Sequence, residues 1–507
     1  MTAFILVSST FTGGYVWEET AARLRAAGAE VHAPTLTGLG EHREAAGPGT
    51  DLETHIADVL AVIDRVAGDR DLVLVGHAYG IHPVLGAADR RAGRVTRIVY
   101  VDAGMPMDGL PALASVPDQA LREELAKLAE QGGEAATGTL PAPADAVAWR
   151  RWGSTAGVSG RALERLTRLA APQPLGTLLQ PLRLTGAVAA VPTSAVLCSG
   201  NGGGIELLQS MVNMGHSALQ ALVDPRVSFF ELPTGHWPML SCPGELADAL
   251  LAAAAGEGHR LTPADELPSY LRPFPLAVPE VPRERKGHVD LYVPEATGAG
   301  PLPAVLFVHG GPVPADVRPT PRDWPVFAGY ARLAAGRGVV GAVLDHRLHD
   351  VGDYPLAAAD VAAAVEAVRA DPRVDADRVA LWFFSGGGPL SAPWLGARPA
   401  WLRCLAATYP VLAPLPNWGL GEGRFHPVEA LPDAGDLPIV LTRVGLEMAE
   451  IAATVEEFLA AAEDCGADVE VVDVPHGHHG FETRLPGEEA RAAIDRAMGS
   501  VLAHLRA

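Results

Sequence analysis

The 507-residue chain is poor in positive charge: 39 Lys and Arg stand against 60 Asp and Glu, a formal net charge of −21. Nucleic-acid affinity rests on clustered Lys and Arg that neutralise phosphates, so this balance argues against a nucleic-acid partner. Cysteine is scarce too. Its four residues (Cys198, Cys242, Cys404 and Cys465) are scattered, with no paired spacing of the metal-binding kind. Few, unpaired cysteines suit a reducing compartment. No apolar run approaches the roughly 18 residues of a membrane span. The N-terminal MTAFILVSST has neither the basic start nor the long apolar stretch of a secretory signal. The expectation is a soluble, cytoplasmic protein that meets a small-molecule substrate, with no membrane.

What is present is a globular balance, 48% hydrophobic and 20% charged, over a length that allows two or three domains. Short apolar runs recur with helical patterns between them, as in a parallel sheet covered by helices. FILVSS, DLVLVGH, RIVYVDA, TSAVLCSG and VSFFELP stand in the first half; AVLFVHGG, VVGAVLDH, RVALWFFSG, CLAATYP, PIVLTRVG and VEVVDVPHG follow in the second. The stretches ETAARLRAAG and LAAADVAAAVEAVRA carry apolar residues at three- and four-residue steps, which predicts helices. The same architecture is written twice, with an eight-strand type of sheet expected in each half. A Pro- and charge-rich segment separates the two series. Residues 1–256 are expected to form one domain, 257–282 a linker, and 283–507 a second domain. From about 108 to 192 strand signals disappear, which predicts a helical, Pro-broken cap over the first sheet. Within it, Trp149, Arg150, Arg151 and Trp152 offer aromatic surface and cation to a substrate, or simply pack the cap.

In the second half, LWFFSGGGPL places Ser385 between a strand and a helix, where a sharp turn would expose its hydroxyl. Gly386, Gly387 and Gly388 are the small neighbours such a turn needs, while Phe383 stands where the usual pattern has glycine. Upstream, FVHGGP supplies Gly310 and Gly311, whose backbone N–H groups, with that of Gly386, would stabilise a developing oxyanion. Downstream, strands end at Glu447 and at His479. The order Ser, acid, His is that of the α/β-hydrolases. The neighbouring His476 and His478 could join His479 on a metal, but no partner cluster with suitable spacing is evident. Through HGGP, FFSGGG and HHGF, residues 290–507 resemble the dienelactone-hydrolase and acyl-peptidase-like branch. The resemblance implies Ser385 as nucleophile, His479 as base and Glu447 as orienting carboxylate.

The first half holds the same device with one part missing. VLVGHAYG is a strand running into Gly76-x-x-x-Gly80, yet residue 78 is alanine. With GGYVWEETAARLRAAGAEVHAPTLTGLGEH, DLETHIADVLAVID and IVYVDAGMPMDG, residues 3–253 resemble the plant methylesterase, hydroxynitrile-lyase and EstC-like esterase group. That resemblance implies a nucleophile at position 78, His236 as base, and oxyanion donors at the backbone of Thr10 and Tyr79. Ser8 and Ser9 replace its usual His-Gly pair. Asn201 lies near the expected place of the acid, so Asp102 or Glu206 would orient His236, Asp102 being preferred. Ala78 has two accounts. The favoured one is an engineered Ser→Ala change that leaves the elbow intact; the other is a natural non-catalytic domain that binds a ligand.

The fold expected is therefore α/β, two α/β-hydrolase domains in tandem, each a mostly parallel sheet flanked by helices. The expected function is serine-type hydrolysis of a small-molecule ester, lactone or thioester, with two cooperating steps in natural-product tailoring as its setting. Lyase or acyl-transfer chemistry on the same scaffold is the alternative. None of this requires a metal or an organic cofactor.

Overall fold

The computed structural model describes residues 2–506 except 67, 69, 132–137, 214–216, 264–267, 296–299, 421–422 and 485–486. Parts of the expected cap and linker thus lie outside the described residues. The chain divides into two compact units. One comprises residues 1–209, 220–262 and 416–419; the other comprises 210–219, 263–415 and 420–507.

The first unit is built on β1 (Thr2–Val7), β2 (Glu30–His32), β3 (Asp71–His77) and β4 (Val95–Val101), with β5 (Thr139–Leu140) and β6 (Gln173–Pro174) in the cap, then β7 (Thr193–Cys198) and β8 (Val227–Leu232). Its main sheet has the order β2-β1-β3-β4-β7-β8, and every pairing in it is parallel. β1 and β3 are central, and nearly every residue of each is buried, which is why they read as unbroken apolar runs. Helices Glu18–Ala26, Leu52–Ile63, Ile81–Arg90 and Pro243–Ala254 complete the layers. The second of these starts at a capping box in which Asp51 and Thr54 satisfy each other's backbone N–H groups.

The second unit contains β9 (Arg283–Lys286), β10 (Val289–Tyr292), β11 (Leu302–Val308), β12 (Val340–Leu344), β13 (Val374–Phe384), β14 (Leu402–Thr408), β15 (Ile439–Leu446) and β16 (Val469–His478). Its eight-stranded sheet runs β16-β15-β14-β13-β11-β12-β10-β9. The pairings from β16 to β12 are parallel, whereas β10 is antiparallel to both β12 and β9. The sheet is therefore mixed. β9, sequence RERK, is exposed at the edge, where charge discourages pairing with another chain.

One expectation needs correction. Among the described residues the first sheet has six strands, not eight. The two additional strands of the second sheet are the β9–β10 antiparallel pair, and β1 is the first strand described in the first unit. Among the described residues no helix is long and apolar enough to cross a membrane.

Candidate active site

Each unit carries a sharp turn where a central strand ends. After β3, Ala78 has φ +45°; after β13, Ser385 has φ +52°. Side chains rarely adopt this left-handed region, and it recurs where a reacting group must stand clear of the sheet. Both turns also need small neighbours, but not the same ones. A Cβ on Gly76 would lie 2.5 Å from Cα of Ile81, three residues beyond Ala78. Three residues beyond Ser385 stands Gly388. The chain there continues as a 3₁₀ segment, Ser385–Ser391, before a short helix, Ala392–Ala397, which leaves room for the fully buried Phe383. The helix expected after Ser385 begins at Ala392, and the three glycines and Pro389 of the intervening segment account for the 3₁₀ turn before it.

In the second unit, Ser385 Oγ lies 2.6 Å from His479 Nε2, and His479 Nδ1 lies 2.8 and 3.0 Å from the two Glu447 oxygens. Because Nδ1 donates to the carboxylate, Nε2 is left as the acceptor for the serine hydroxyl. Glu447 follows β15 and His479 follows β16, so long-range strand pairing brings residues 385, 447 and 479 together. The Ser385 carbonyl accepts from Val411 N–H at 3.0 Å, which fixes the peptide whose N–H belongs to Gly386. Gly310 packs on the serine itself: a Cβ there would lie 2.7 Å from that of Ser385. Gly311 is adjacent, and its carbonyl would lie 1.9 Å from a Cβ on Gly386. The FVHGGP and SGGG segments thus meet backbone to backbone, as an oxyanion pocket requires. His309, at the head of this loop, stacks on His346 with centroids 3.6 Å apart. Burial, with His346 opposite, holds His309 well below its usual value, and burial takes His346 down to about 4.

Gly386→Ala follows as a direct test of this packing. The added methyl has no space beside Gly311 O, so a loss of about 1–3 kcal/mol or more is expected. A thermal melt unchanged from the parent protein would show that the two segments are not in contact.

In the first unit, His236 Nδ1 donates to Asp102 Oδ2 at 2.6 Å. Asp102 is the residue just beyond β4, and it also accepts from Asn201 Nδ2 at 2.7 Å and from Cys198 N–H at 3.3 Å. Asn201 Nδ2 lies 3.4 Å from His236 Nδ1 as well. Both nitrogens point protons at the same carboxylate oxygen, so this approach is a contact, not a bond. Of the acids weighed from the sequence, Asp102 lies against His236, whereas Glu206 lies in the first turn of the helix Ile205–Asn213. Sequence reasoning missed what Asn201 does. Its amide joins Asp102 to the cap, because Oδ1 accepts from Ser154 N–H at 2.8 Å. The cap closes directly on the imidazole: His236 N–H donates to Ser154 O, and a Cβ on Gly153 would lie 2.4 Å from the His236 ring.

The remaining first-half candidates surround this dyad. Thr10 is buried just after β1. The Tyr79 hydroxyl donates to His55 Nδ1 at 2.7 Å, because His55 Nε2 is committed as donor to Thr37 O. His77 Nε2 donates to the His236 carbonyl at 2.8 Å. Trp149 and Trp152 are buried against Phe11, at 6.1 and 4.6 Å between centroids. Arg151 pairs with Asp118 on the surface, and Arg150 is exposed. The two tryptophans pack the cap, and the two arginines lie at its surface. No metal-binding cluster of His, Cys, Asp or Glu occurs among the described residues, His476 and His478 included.

Comparison with known proteins bears on the half that holds Ala78. Residues 4–249 match the model of the alpha/beta hydrolase family. Over 263 residues the chain is 34% identical to a carbendazim hydrolyzing esterase of Nocardioides sp., covering 50% of this chain and 99% of that protein. The chain belongs to the α/β-hydrolase family. A putative chloroplastic methylesterase of Arabidopsis thaliana is 26% identical over 106 residues, 21% of this chain and 30% of its own length. Among solved structures, an extracellular α/β-hydrolase from a Paenibacillus species shares 22% identity, with a TM-score of 0.39 over 50% of this chain and 99% of its own. Membership of this family, with esterases among its relatives, makes the protein a hydrolase. Its first half carries the α/β-hydrolase fold on a parallel sheet.

Proposed function

We propose that the protein is a serine-type hydrolase of small-molecule esters, lactones or thioesters, and that Ser385 is its working nucleophile. The observation that carries this reading is the unbroken chain from Ser385 Oγ through His479 to Glu447, at 2.6 and 2.8 Å. Ser385 attacks the carbonyl carbon while His479 takes its proton, and Glu447 holds the imidazole and balances its charge. Backbone N–H groups of Gly310, Gly311 and Gly386 face the oxyanion. His479 then returns the proton to the departing alkoxide or thiolate, leaving an acyl-serine. Water, deprotonated by the same histidine, releases the acid and restores Ser385. On this reading the second unit is a further α/β-hydrolase domain of the dienelactone-hydrolase and acyl-peptidase-like kind, joined by a linker over 257–282. The two domains would then serve consecutive steps on one metabolite in the cytoplasm.

The first domain has a separate reading. His236 and Asp102 are paired in a buried site, yet Ala78 offers no oxygen. As it stands, that site binds a ligand or moves a proton; it does not form an acyl-serine. Ester cleavage there would need a serine at position 78, which an engineered change would have removed and a natural binding domain would lack. The Nocardioides relative, named for hydrolysing carbendazim, makes that compound the first ligand to offer this domain. A C–C lyase on the same scaffold is distinguished by product analysis: only hydrolysis places oxygen from labelled water in the acid product.

A fluorophosphonate reagent tests the main reading. Ser385 should be labelled, as located by peptide mass spectrometry, and His479→Ala should suppress the labelling, because the hydroxyl is a weak nucleophile without its base. A folded protein whose Ser385 stays unlabelled would reduce the second unit to a scaffold.

A further inference from the structure

The helix Phe481–Arg484 begins two residues after His479 and carries Glu482, a carboxyl for which the acyl-transfer scheme has no use. Its side chain is 2% exposed. Oε1 accepts from the Tyr330 hydroxyl at 2.9 Å, while Oε2 is buried with no hydrogen-bond partner among the described residues. The Tyr409 hydroxyl also acts on this carboxyl, although it does not meet Oε2 in bonding geometry. Tyr409 in turn sets its ring against the imidazole of His479, with centroids 4.7 Å apart, and edge-on to Phe481. Its backbone has φ +37°, a costly conformation for a bulky residue that the surrounding structure must enforce. A strained tyrosine and an under-satisfied buried acid converge on one histidine.

We propose that Glu482 is a positioning residue for the Ser385 site: held by Tyr330 three residues along the chain from the imidazole on which Tyr409 packs, its carboxylate favours the imidazolium that His479 becomes on taking the serine proton. The inference rests on the reading of Ser385, Glu447 and His479 as the working site. It assigns that site a second carboxyl, from a different element than Glu447. The charged and titratable groups around it are Tyr330, Tyr409, His479, Glu447, Arg484 and Arg272. Arg484 donates to the His479 carbonyl and Arg272 to the Thr483 carbonyl. On the C-terminal helix, Glu489 is engaged with His476.

Burial raises the Glu482 carboxyl to about 7, against the lowering effect of the Tyr330 hydroxyl and of His479. Its charge is therefore absent in mild acid and present in mild alkali. A carboxyl raised in the folded state favours folding below its unfolded value and loses that contribution as pH rises through about 7. Glu482→Gln keeps the shape and removes the alkaline penalty, so this variant should melt no lower than the parent at alkaline pH.

The test is the rate of Ser385 labelling by a fluorophosphonate on the full chain, followed from about pH 5.5 to about pH 8.5. Glu482→Gln should match the parent at the acid end and fall about tenfold behind it at the alkaline end, the equivalent of one pKa unit of lost interaction. Tyr330→Phe, which removes a donor that favours the carboxylate, should move the point of divergence to higher pH. A purely structural role would lower the rate equally at every pH, and parallel profiles would overturn the proposal. Should Glu482→Gln fail to fold, an unmoved profile in Tyr330→Phe would overturn it instead. Absence of labelling in the parent protein would overturn the reading of the site itself, and is thereby distinguished from parallel profiles.

Discussion

Ser385→Ala should lower turnover of an activated aryl ester, such as p-nitrophenyl acetate, by on the order of 10⁶, the loss typical of removing a serine nucleophile. The effect is large because the attacking atom disappears while the geometry around it stays. Glu447→Gln should cost on the order of 10⁴ in kcat, because an amide can present its N–H to His479 and hold the wrong tautomer. His479→Ala should equal the serine variant and not add to it, since the two groups act as one unit. Steady-state kinetics on the three variants, with circular dichroism to verify folding, measure this directly. Retention of the parent rate by Ser385→Ala would move the activity elsewhere in the chain. Additive losses in the double variant would show that Ser385 and His479 do not work on the same step.

The second large effect is a gain. Ala78→Ser, made together with Ser385→Ala, should raise the turnover of aryl esters and thioesters from background by several orders of magnitude, the converse of nucleophile loss. Ala78 already has the left-handed backbone of an elbow residue, and His236 is already oriented by Asp102. The substitution adds one oxygen to a Cβ already in place, so repacking is not required. Adding His236→Ala should return the rate to background. A folded Ala78→Ser, Ser385→Ala protein without activity on any of these substrates would favour the natural ligand-binding account of the first domain. In that outcome the changes at Ser8, Ser9 and Asn201 mark a site that evolved away from acyl transfer.

Local sequence patterns carried much of the fold. The runs from FILVSS to VEVVDVPHG correspond to strands of the two sheets because buried parallel strands need unbroken apolar sequence. The strands that leave no such pattern are short or lie at an edge. β2 is three residues long, β5 and β6 are two each, and β9 is four exposed charged residues. None has an apolar period to reveal it. At the sites, Ser385 and Ala78 were legible from their glycine-flanked turns, and the order of the later acid and histidine was visible along the chain.

Other features depend on residues far apart in sequence. Nothing local distinguishes Asp102 from Glu206 as the partner of His236; the 2.6 Å approach across 134 residues does. Asn201 resembles a lost acid in the sequence, yet in the fold its amide ties Asp102 to the cap at Ser154. Glu482 is one of many glutamates until burial with Tyr330 and Tyr409 gives it a proton near neutrality. The sequence by itself determined where strands form and where the chain turns sharply enough to expose a nucleophile, because backbone sterics and apolar patterning act between near neighbours. Only the tertiary structure decided which acid meets which histidine, how closely the glycine loops approach, and which carboxyls lose water. Those outcomes depend on burial and on distances set by strand pairing between residues far apart in the sequence.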